Sequence, residues 1–259
     1  MAGIGYPRRV VELLMRVLIA PDSFKESLSA PEAAQAIVRG LMRVDSELEV
    51  DFCPLADGGK GFVDAFCSAC DGELRTALVH DALGRQIEAQ WCLIADSQLA
   101  VLELASACGL HLLSADERDP GRTGTFGLGE IIADTFSEDV QRVIVGLGDS
   151  ASVDGGVGMC QALGGKFLGL DDFATGGQLQ RLESVDLSKL NPRLREIELI
   201  GACDVQNPLC GPEGAVRVYG AQKGADAEQR LVLERGLEHL AQMVSPTDAL
   251  IPGSGAAGG

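Results

Sequence analysis

Residues 16–42 read RVLIAPDSFKESLSAPEAAQAIVRGLM, and the order of residue types in this stretch decides the fold class. Val17–Ala20 is a short apolar run of strand character. The polar loop PDSFKES follows, and Ala30–Met42 has the apolar spacing of a helix, with Pro31 in its first turn. The same succession recurs further along. Leu48–Leu55 reads as a strand, ADGGKG as a loop and Phe62–Cys70 as a helix. Arg142–Leu147 reads as a strand, GDSASVDGG as a loop and Val157–Leu163 as a short helix. Ile197–Cys203 is a further strand, ending on Asp204-Val-Gln-Asn207. Strands alternating with helices predict an α/β architecture with a largely parallel sheet. Ile87–Ile94 and Leu99–Leu104, around Ala95–Gln98, read as an antiparallel insertion. Thr123–Gly129 is glycine-rich and is expected to be a loop leading into a helix over Glu130–Phe136.

In such sheets ligands bind off the carboxyl ends of the strands. Asp22, Asp57, Asp149 or Asp154, and Asp204 all stand just past a predicted strand end. Any one of them could cap a helix or turn, but four together, each beside glycine or a small polar residue, predict a shared site. DGGKG, GDSASVDGG and PGSGAAGG are glycine loops of the kind that offers backbone N–H groups to an anion at a helix start. None contains G-x-x-x-x-G-K-[ST], and the protein-kinase signatures are absent, so a phosphoryl transfer here would use another fold. GLGDSA resembles a dinucleotide fingerprint, but the DGG that follows would interrupt the long helix that fingerprint needs. Ser150, Asp204 and His239 run in hydrolase order, yet His239 lies in a helical pattern and reads as a packing residue.

The 259 residues carry 38 Asp+Glu against 21 Lys+Arg, a net charge of −17. That balance excludes a chain that tracks nucleic acid or docks on anionic lipid, and it requires local positive charge if the substrate is an anion. Lysine is scarce, and Lys25, Lys60 and Lys223 all fall in glycine-containing or polar loop segments. Hydrophobic residues at 46% with only 4% aromatics predict an aliphatic core, and no run approaches the length of a membrane span. The eight cysteines are scattered except for Cys67-Ser-Ala-Cys70, which has no second CxxC at zinc spacing and reads as two core residues. With no secretory signal, they suit a reducing, cytoplasmic setting. Residues 1–14 read as an upstream extension before Met15.

The segments VLIAPDSFKESLSA (17–30), PLADGG (54–59), ELASACGL (103–110), GTFGLGEII (124–132), DGGVGMCQALG (154–164), ACDVQNPLCGPEGA (202–215) and QKGA (222–225) occur in this order. Together they resemble the type 1 bacterial glycerate kinases of sugar-acid and glyoxylate catabolism. The resemblance runs from Arg16 to Gly259, and the final IPGSGAAGG resembles a family segment that continues further, so the chain is expected to be C-terminally truncated. It implies two α/β domains around a cleft: a discontinuous first domain of residues 15–75 and 235–259, and a second of 76–234. It implies ATP-dependent phosphorylation of D-glycerate to a phosphoglycerate, favouring the 2-phosphate, with ATP and Mg2+. The alternative is a kinase paralogue that retains ligand binding at most. The expected partners are a small hydroxy acid and, for assembly, a homo-oligomer, with no nucleic acid and no membrane.

The resemblance also implies roles. Asp22, Ser23, Lys25 and Ser27 match the family's first loop, Asp57, Gly58 and Gly59 its second, and Asp204 and Asn207 its fourth. Ser150 and Gly155 lie in the third loop as further binding residues. Lys25 would neutralise charge, with Lys223 a second candidate for that task. Asp154 or Asp204 would orient or deprotonate the hydroxyl, or bind Mg2+. Lys60, Phe62, Asp149 and Val153 depart from the family pattern, which usually has Glu, Thr, Gly and Asn at those places.

Overall fold

The computed structural model describes residues 16–24 and 27–258, so Lys25 and the expected extension of residues 1–14 lie outside the described residues. The chain forms two compact units that divide after Leu55.

The smaller unit holds β1 (Arg16–Ile19), α1 (Ala30–Met42) and β2 (Glu49–Phe52). The two strands pair in parallel, from Arg16 opposite Glu49 to Ile19 opposite Phe52. Helix α1 spans the predicted residues because its start is written locally. The Ser29 hydroxyl accepts the Glu32 N–H, the Glu32 carboxylate accepts the Ser29 N–H at 2.8 Å, and Pro31 sits in the first turn. Such a capping box satisfies two amides that the helix itself leaves unpaired. Ala30, Ala33 and Ala34 form its buried stripe.

The larger unit contains α2 (Phe62–Ala69), β3 (Glu73–His80), β4 (Gln86–Ile94), β5 (Leu99–Glu103), α3 (Ala105–Cys108), α4 (Phe126–Asp134) and β6 (Arg142–Gly146). It continues with α5 (Val157–Ala162), β7 (Lys166–Leu168), β8 (Ser184–Asp186), β9 (Glu198–Ala202), α6 (Ala215–Tyr219) and α7 (Ala227–Val244). Five strands form one sheet in the order β3-β4-β5-β6-β9. The β5-β6 and β6-β9 ladders are parallel, as the strand–helix alternation predicts, and β4-β5 is antiparallel, as expected for Ile87–Ile94 against Leu99–Leu104. Strand β3, paired antiparallel with β4, was not anticipated.

The middle of this sheet is covered on both faces. On one, α2 lays Phe62 and Val63 over Cys92, Leu99 and Val101. On the other, Leu128, Ile131 and Ile132 of α4 pack with Val79, Trp91, Leu102 and Val143. Each fully buried aliphatic side chain of this kind contributes about 1.5–3 kcal/mol. Trp91, 1% exposed, donates its Nε1–H to Asp134 Oδ2 at 2.8 Å, so the indole's polar atom is satisfied inside the core. A second cluster packs Leu233, Leu237 and Leu240 of α7 against Val153, Val157, Leu179 and Val216.

One prediction is corrected here. The helix expected over Glu130–Phe136 begins at Phe126, inside the glycine-rich stretch. A Cβ on Gly127 would lie 1.8 Å from the His80 carbonyl oxygen. Glycine at that place lets α4 approach β3, and tertiary packing overrides its weak helix propensity.

Of the paired cysteines, Cys67 packs against the cluster under α2 while Cys70 is exposed at the helix end. All eight cysteines are free thiols, and burial pushes those of Cys108 and Cys160 up to about 12 and about 11. Among the described residues no helix is long and apolar enough to cross a membrane.

Candidate active site

The carboxyl ends of β5, β6 and β9 meet the DGGKG loop on one side of the larger unit. Strand β6 runs out through Gly146-Leu147-Gly148 into Asp149, and the Leu147 N–H donates to the Ala202 carbonyl at the end of β9. Gly58, at φ +98°, nests against the same carbonyl, where a Cβ would lie 2.8 Å from the oxygen. A Cβ on Gly148 would lie 2.7 Å from both the Cα and the nitrogen of Gly59. The three loops therefore touch backbone to backbone, and glycine at these positions is what allows it.

Four amides of the DGGKG loop and the start of α2 are already engaged. Gly59 N–H donates to Asp57 Oδ1 at 2.8 Å and Lys60 N–H to Asp149 Oδ2 at 3.0 Å. Gly61 and Val63 N–H groups donate to Glu103 Oε2 at 2.9 and 3.1 Å, and the Ser106 hydroxyl to Glu103 Oε1. Glu103, 7% exposed at the end of β5, thus fills the N-terminus of α2 with a protein carboxylate. Burial raises its pKa, against the lowering effect of those donors. The DGGKG loop is accordingly tied by its amides to Asp57, Asp149 and Glu103.

The side chains it presents are Asp57, Lys60 and Asp149, all exposed. The two carboxylates flank Gly59: a Cβ there would stand 2.6 Å from Asp149 Oδ2 and 3.0 Å from Asp57 Oδ1. Asp149 sits at φ +53°, a left-handed conformation that a glycine would adopt without strain. His111, in the turn after α3, feels both departures from the family pattern. Desolvation and the Lys60 cation lower its pKa and Asp149 raises it, the net being a lowering that favours the neutral imidazole. Sequence reasoning missed Glu103 and His111 as parts of this site.

Asp154 meets a closed shell of donors. Its Oδ2 accepts from Thr125 N–H at 2.9 Å, the Thr125 hydroxyl at 2.8 Å and Gly158 N–H at 3.1 Å, and its Oδ1 from Gly156 N–H at 3.4 Å. The residue is 0% exposed, and burial raises its pKa despite these bonds. The expected proton acceptor or Mg2+ ligand is, by this geometry, the brace that locks the start of α5 onto α4. Gly155 beside it backs onto Leu240 of α7.

Asp204 is exposed just beyond β9, and burial together with its charge raises the phenol pKa of Tyr219. Asn207 is spent on structure: its Oδ1 accepts the Tyr219 hydroxyl at 2.6 Å and its Nδ2 donates to the Glu213 carbonyl. Ser150 and Lys223, separated by 73 residues in sequence, are brought together, with Nζ 2.6 Å from Oγ. His239 is the packing residue expected, bonded through Nε2 to the Leu182 carbonyl at 2.8 Å, and forms no triad with Ser150. Asp22, Ser23 and Ser27 are exposed in the smaller unit, in the loop after β1.

Among the described residues no group of three or more His, Cys, Asp or Glu side chains is placed to hold a metal ion. Mg2+ bound with a nucleotide requires less, one or two carboxylates with phosphate oxygens and waters completing its shell. Asp57, Asp149 and Asp204 are exposed hard-oxygen donors of that kind, whereas Asp154 is fully buried, with three donors on its Oδ2.

Comparison with known proteins bears on this arrangement. The family model for the Glycerate kinase family matches residues 17–259. A glycerate kinase of Bacillus subtilis (strain 168) is 45% identical over 252 residues, covering 95% of this chain and 66% of the relative. A glycerate 2-kinase of Escherichia coli (strain K12) is 42% identical over 252 residues, with the same coverage of each chain. A crystal structure of a Salmonella typhimurium LT2 protein superposes with a TM-score of 0.84 at 40% identity, covering 95% of this chain and 68% of that one. The chain thus spans 66% of the length of the two curated relatives.

Proposed function

The chain belongs to the glycerate kinase family, and on that footing we propose that its loop cluster serves the ATP-dependent phosphorylation of D-glycerate to 2-phosphoglycerate. The observation that carries this reading is the backbone-to-backbone meeting of the Asp57 loop, the loop after β6 and the end of β9, at Gly58, Gly148 and the Ala202 carbonyl. It is a polar platform at the carboxyl edge of parallel strands, in a chain that matches the family over its whole described length.

In the reaction a glycerate hydroxyl oxygen bonds to the γ-phosphorus, the bond from that phosphorus to the β,γ-bridging oxygen breaks, and ADP leaves. The hydroxyl proton passes to a carboxylate. Asp204 suits that task, since it is exposed beyond β9 and unencumbered by the donors that enclose Asp154. Asp57 and Asp149 would hold Mg2+ together with the nucleotide phosphates; the ion supplies charge neutralisation at the transferred group. Lys60 provides a local cation in a chain of net charge −17, and Lys25, outside the described residues, is proposed for the same duty. Phosphoryl transfer depends mostly on such positioning and electrostatics.

The test is an ADP-release assay with Mg2+, ATP and D-glycerate on the purified chain, read beside thermal shifts with each ligand and a phosphorus NMR spectrum of the product. Turnover giving a 2-phosphate supports the proposal in full. Ligand-dependent thermal shifts without turnover favour the paralogue that only binds. Absence of both refutes the reading.

A further inference from the structure

Lys223 is the largest charged side chain sealed inside the larger unit, 2% exposed in the turn after α6. Its ammonium donates to Ser150 Oγ at 2.6 Å, to the Ser152 carbonyl at 2.6 Å and to the Ala257 carbonyl at 2.5 Å. The Ser150 hydroxyl also donates to that Ala257 oxygen. All these acceptors are neutral, and among the described residues no carboxylate forms an ion pair with Nζ. Buried charges are normally paired, because desolvating an unpaired one costs several kcal/mol. A staple between loops would need no charge at all; a glutamine or threonine could serve.

Two further observations point to what is missing. Among the described residues the Ser152 hydroxyl, on a residue 1% exposed, has no hydrogen-bond partner, an expensive condition for a buried donor. The Ala257 oxygen is the shared acceptor of the ammonium and the Ser150 hydroxyl. Its residue holds φ at +57°, a conformation that costs a non-glycine residue about 1 kcal/mol or more. The segment that delivers it, residues 252–258, is held by the Gly255 N–H donating to the Asn207 carbonyl, the Leu209 N–H donating to the Ser254 hydroxyl oxygen and the Ser254 hydroxyl donating to the Ala249 carbonyl.

We propose that Lys223, Ser150 and Ser152 form an oxyanion-binding site, that the Ala257 carbonyl occupies it as a stand-in, and that an oxyanion enters when the 252–258 loop lifts. Three donors then converge on the ligand: one ammonium and two hydroxyls, one of which is idle in the closed state. The pKa of Lys223 is lowered by burial to about 7 although the Asp154 carboxylate acts to raise it, so that carboxylate only partly offsets the desolvation of the ammonium. An incoming anion would raise that pKa. The inference deepens the glycerate phosphorylation reading and rests on it only for which molecule carries the oxyanion, a phosphate of the nucleotide or the carboxylate of the hydroxy acid.

The experiment is hydrogen exchange by mass spectrometry on the peptide covering residues 249–258, with inorganic phosphate titrated against potassium chloride at equal ionic strength. D-glycerate and ATP form separate arms that identify the carrier. Phosphate is expected to raise exchange at 252–258 several-fold and saturably, while residues 149–151, paired with 108–110, stay protected. Ser152→Ala removes only the idle hydroxyl, so it should keep the unliganded exchange pattern and weaken the phosphate response about tenfold. Lys223→Met should abolish the response; if that variant fails to fold, Ser152→Ala decides alone. Exchange at 252–258 that phosphate leaves unchanged, or that is already at its limit without phosphate, overturns the proposal. So does a Ser152→Ala variant that responds like the parent. A phosphate response without D-glycerate turnover keeps this site and removes the kinase reading, and turnover without the response does the reverse.

Discussion

Replacing Asp154 with alanine distinguishes a brace from a catalytic group. In the native chain its carboxylate receives two well-formed backbone bonds, from Thr125 and Gly158, one hydroxyl bond from Thr125, and a longer contact from Gly156. Alanine strands two buried amides at about 1–3 kcal/mol each. The Thr125 hydroxyl keeps the Met159 amide as a donor but loses its own acceptor, adding about 1 kcal/mol. Against this stands the relief of desolvating a carboxylate, whose raised pKa records the strain of burial. The net expectation is a loss of about 2–5 kcal/mol, or a fall in melting temperature on the order of 5–15 °C for a chain of this size. Asp154→Asn keeps the shape and one acceptor but aims an N–H group at donors, so it should lie between alanine and the parent. The assay is thermal denaturation followed by far-ultraviolet circular dichroism, with D-glycerate turnover measured well below the transition. A brace predicts that turnover of the folded fraction falls by less than tenfold once stability is restored by cooling. An Asp154→Ala chain that melts within about 2 °C of the parent yet has lost all turnover would refute the bracing argument and return Asp154 to the chemistry.

Lys223 predicts a pH effect whose sign is fixed by its lowered pKa. The folded state releases the proton near 7 while the unfolded lysine keeps it to about 10.4, so the unfolded state binds more protons between those values and stability rises with pH. Urea denaturation between about pH 6.5 and 8.5 should show up to about 2 kcal/mol of added stability that Lys223→Met lacks. His111 and the buried thiols are common to both proteins, and parallel profiles would show that Lys223 does not titrate as stated. Gly148→Ala would place a methyl 2.7 Å from the backbone of Gly59. It should part the two loops, weakening D-glycerate binding at least tenfold in calorimetry with a stability loss of about 1–3 kcal/mol; unchanged affinity would mean that the floor is not part of the site.

What the sequence revealed depended on the range of the interactions. Helix α1 was legible to the residue because Ser29, Pro31 and Glu32 lie side by side. Strands β5, β6 and β9 announced themselves as apolar runs, and of these β5 is buried on both faces, where little alternation is needed. Strand β3 escaped notice because its exposed face includes Leu74 and Leu78, which blurs the alternation of an edge strand. The start of α4 was hidden by glycines whose purpose is a contact with β3, far off in sequence. The aspartates after strands marked the correct end of the sheet, but not their individual tasks. Whether an Asp faces solvent, like Asp204, or an array of amides, like Asp154, depends on a partner such as Thr125, 29 residues away. The carboxylate at the α2 N-terminus was hidden for the same reason: it comes from Glu103, 40 residues beyond Val63.

The chain has one tryptophan, and it is the sealed, hydrogen-bonded Trp91 of β4. Indole emission is therefore a private signal of the larger unit's core, quenched or red-shifted only when that sheet opens to water. The smaller unit, which has no tryptophan, is dark at those wavelengths. Fluorescence and circular dichroism followed on one sample thus watch different parts of the same molecule, and the gap between their transitions measures how independently the two units melt.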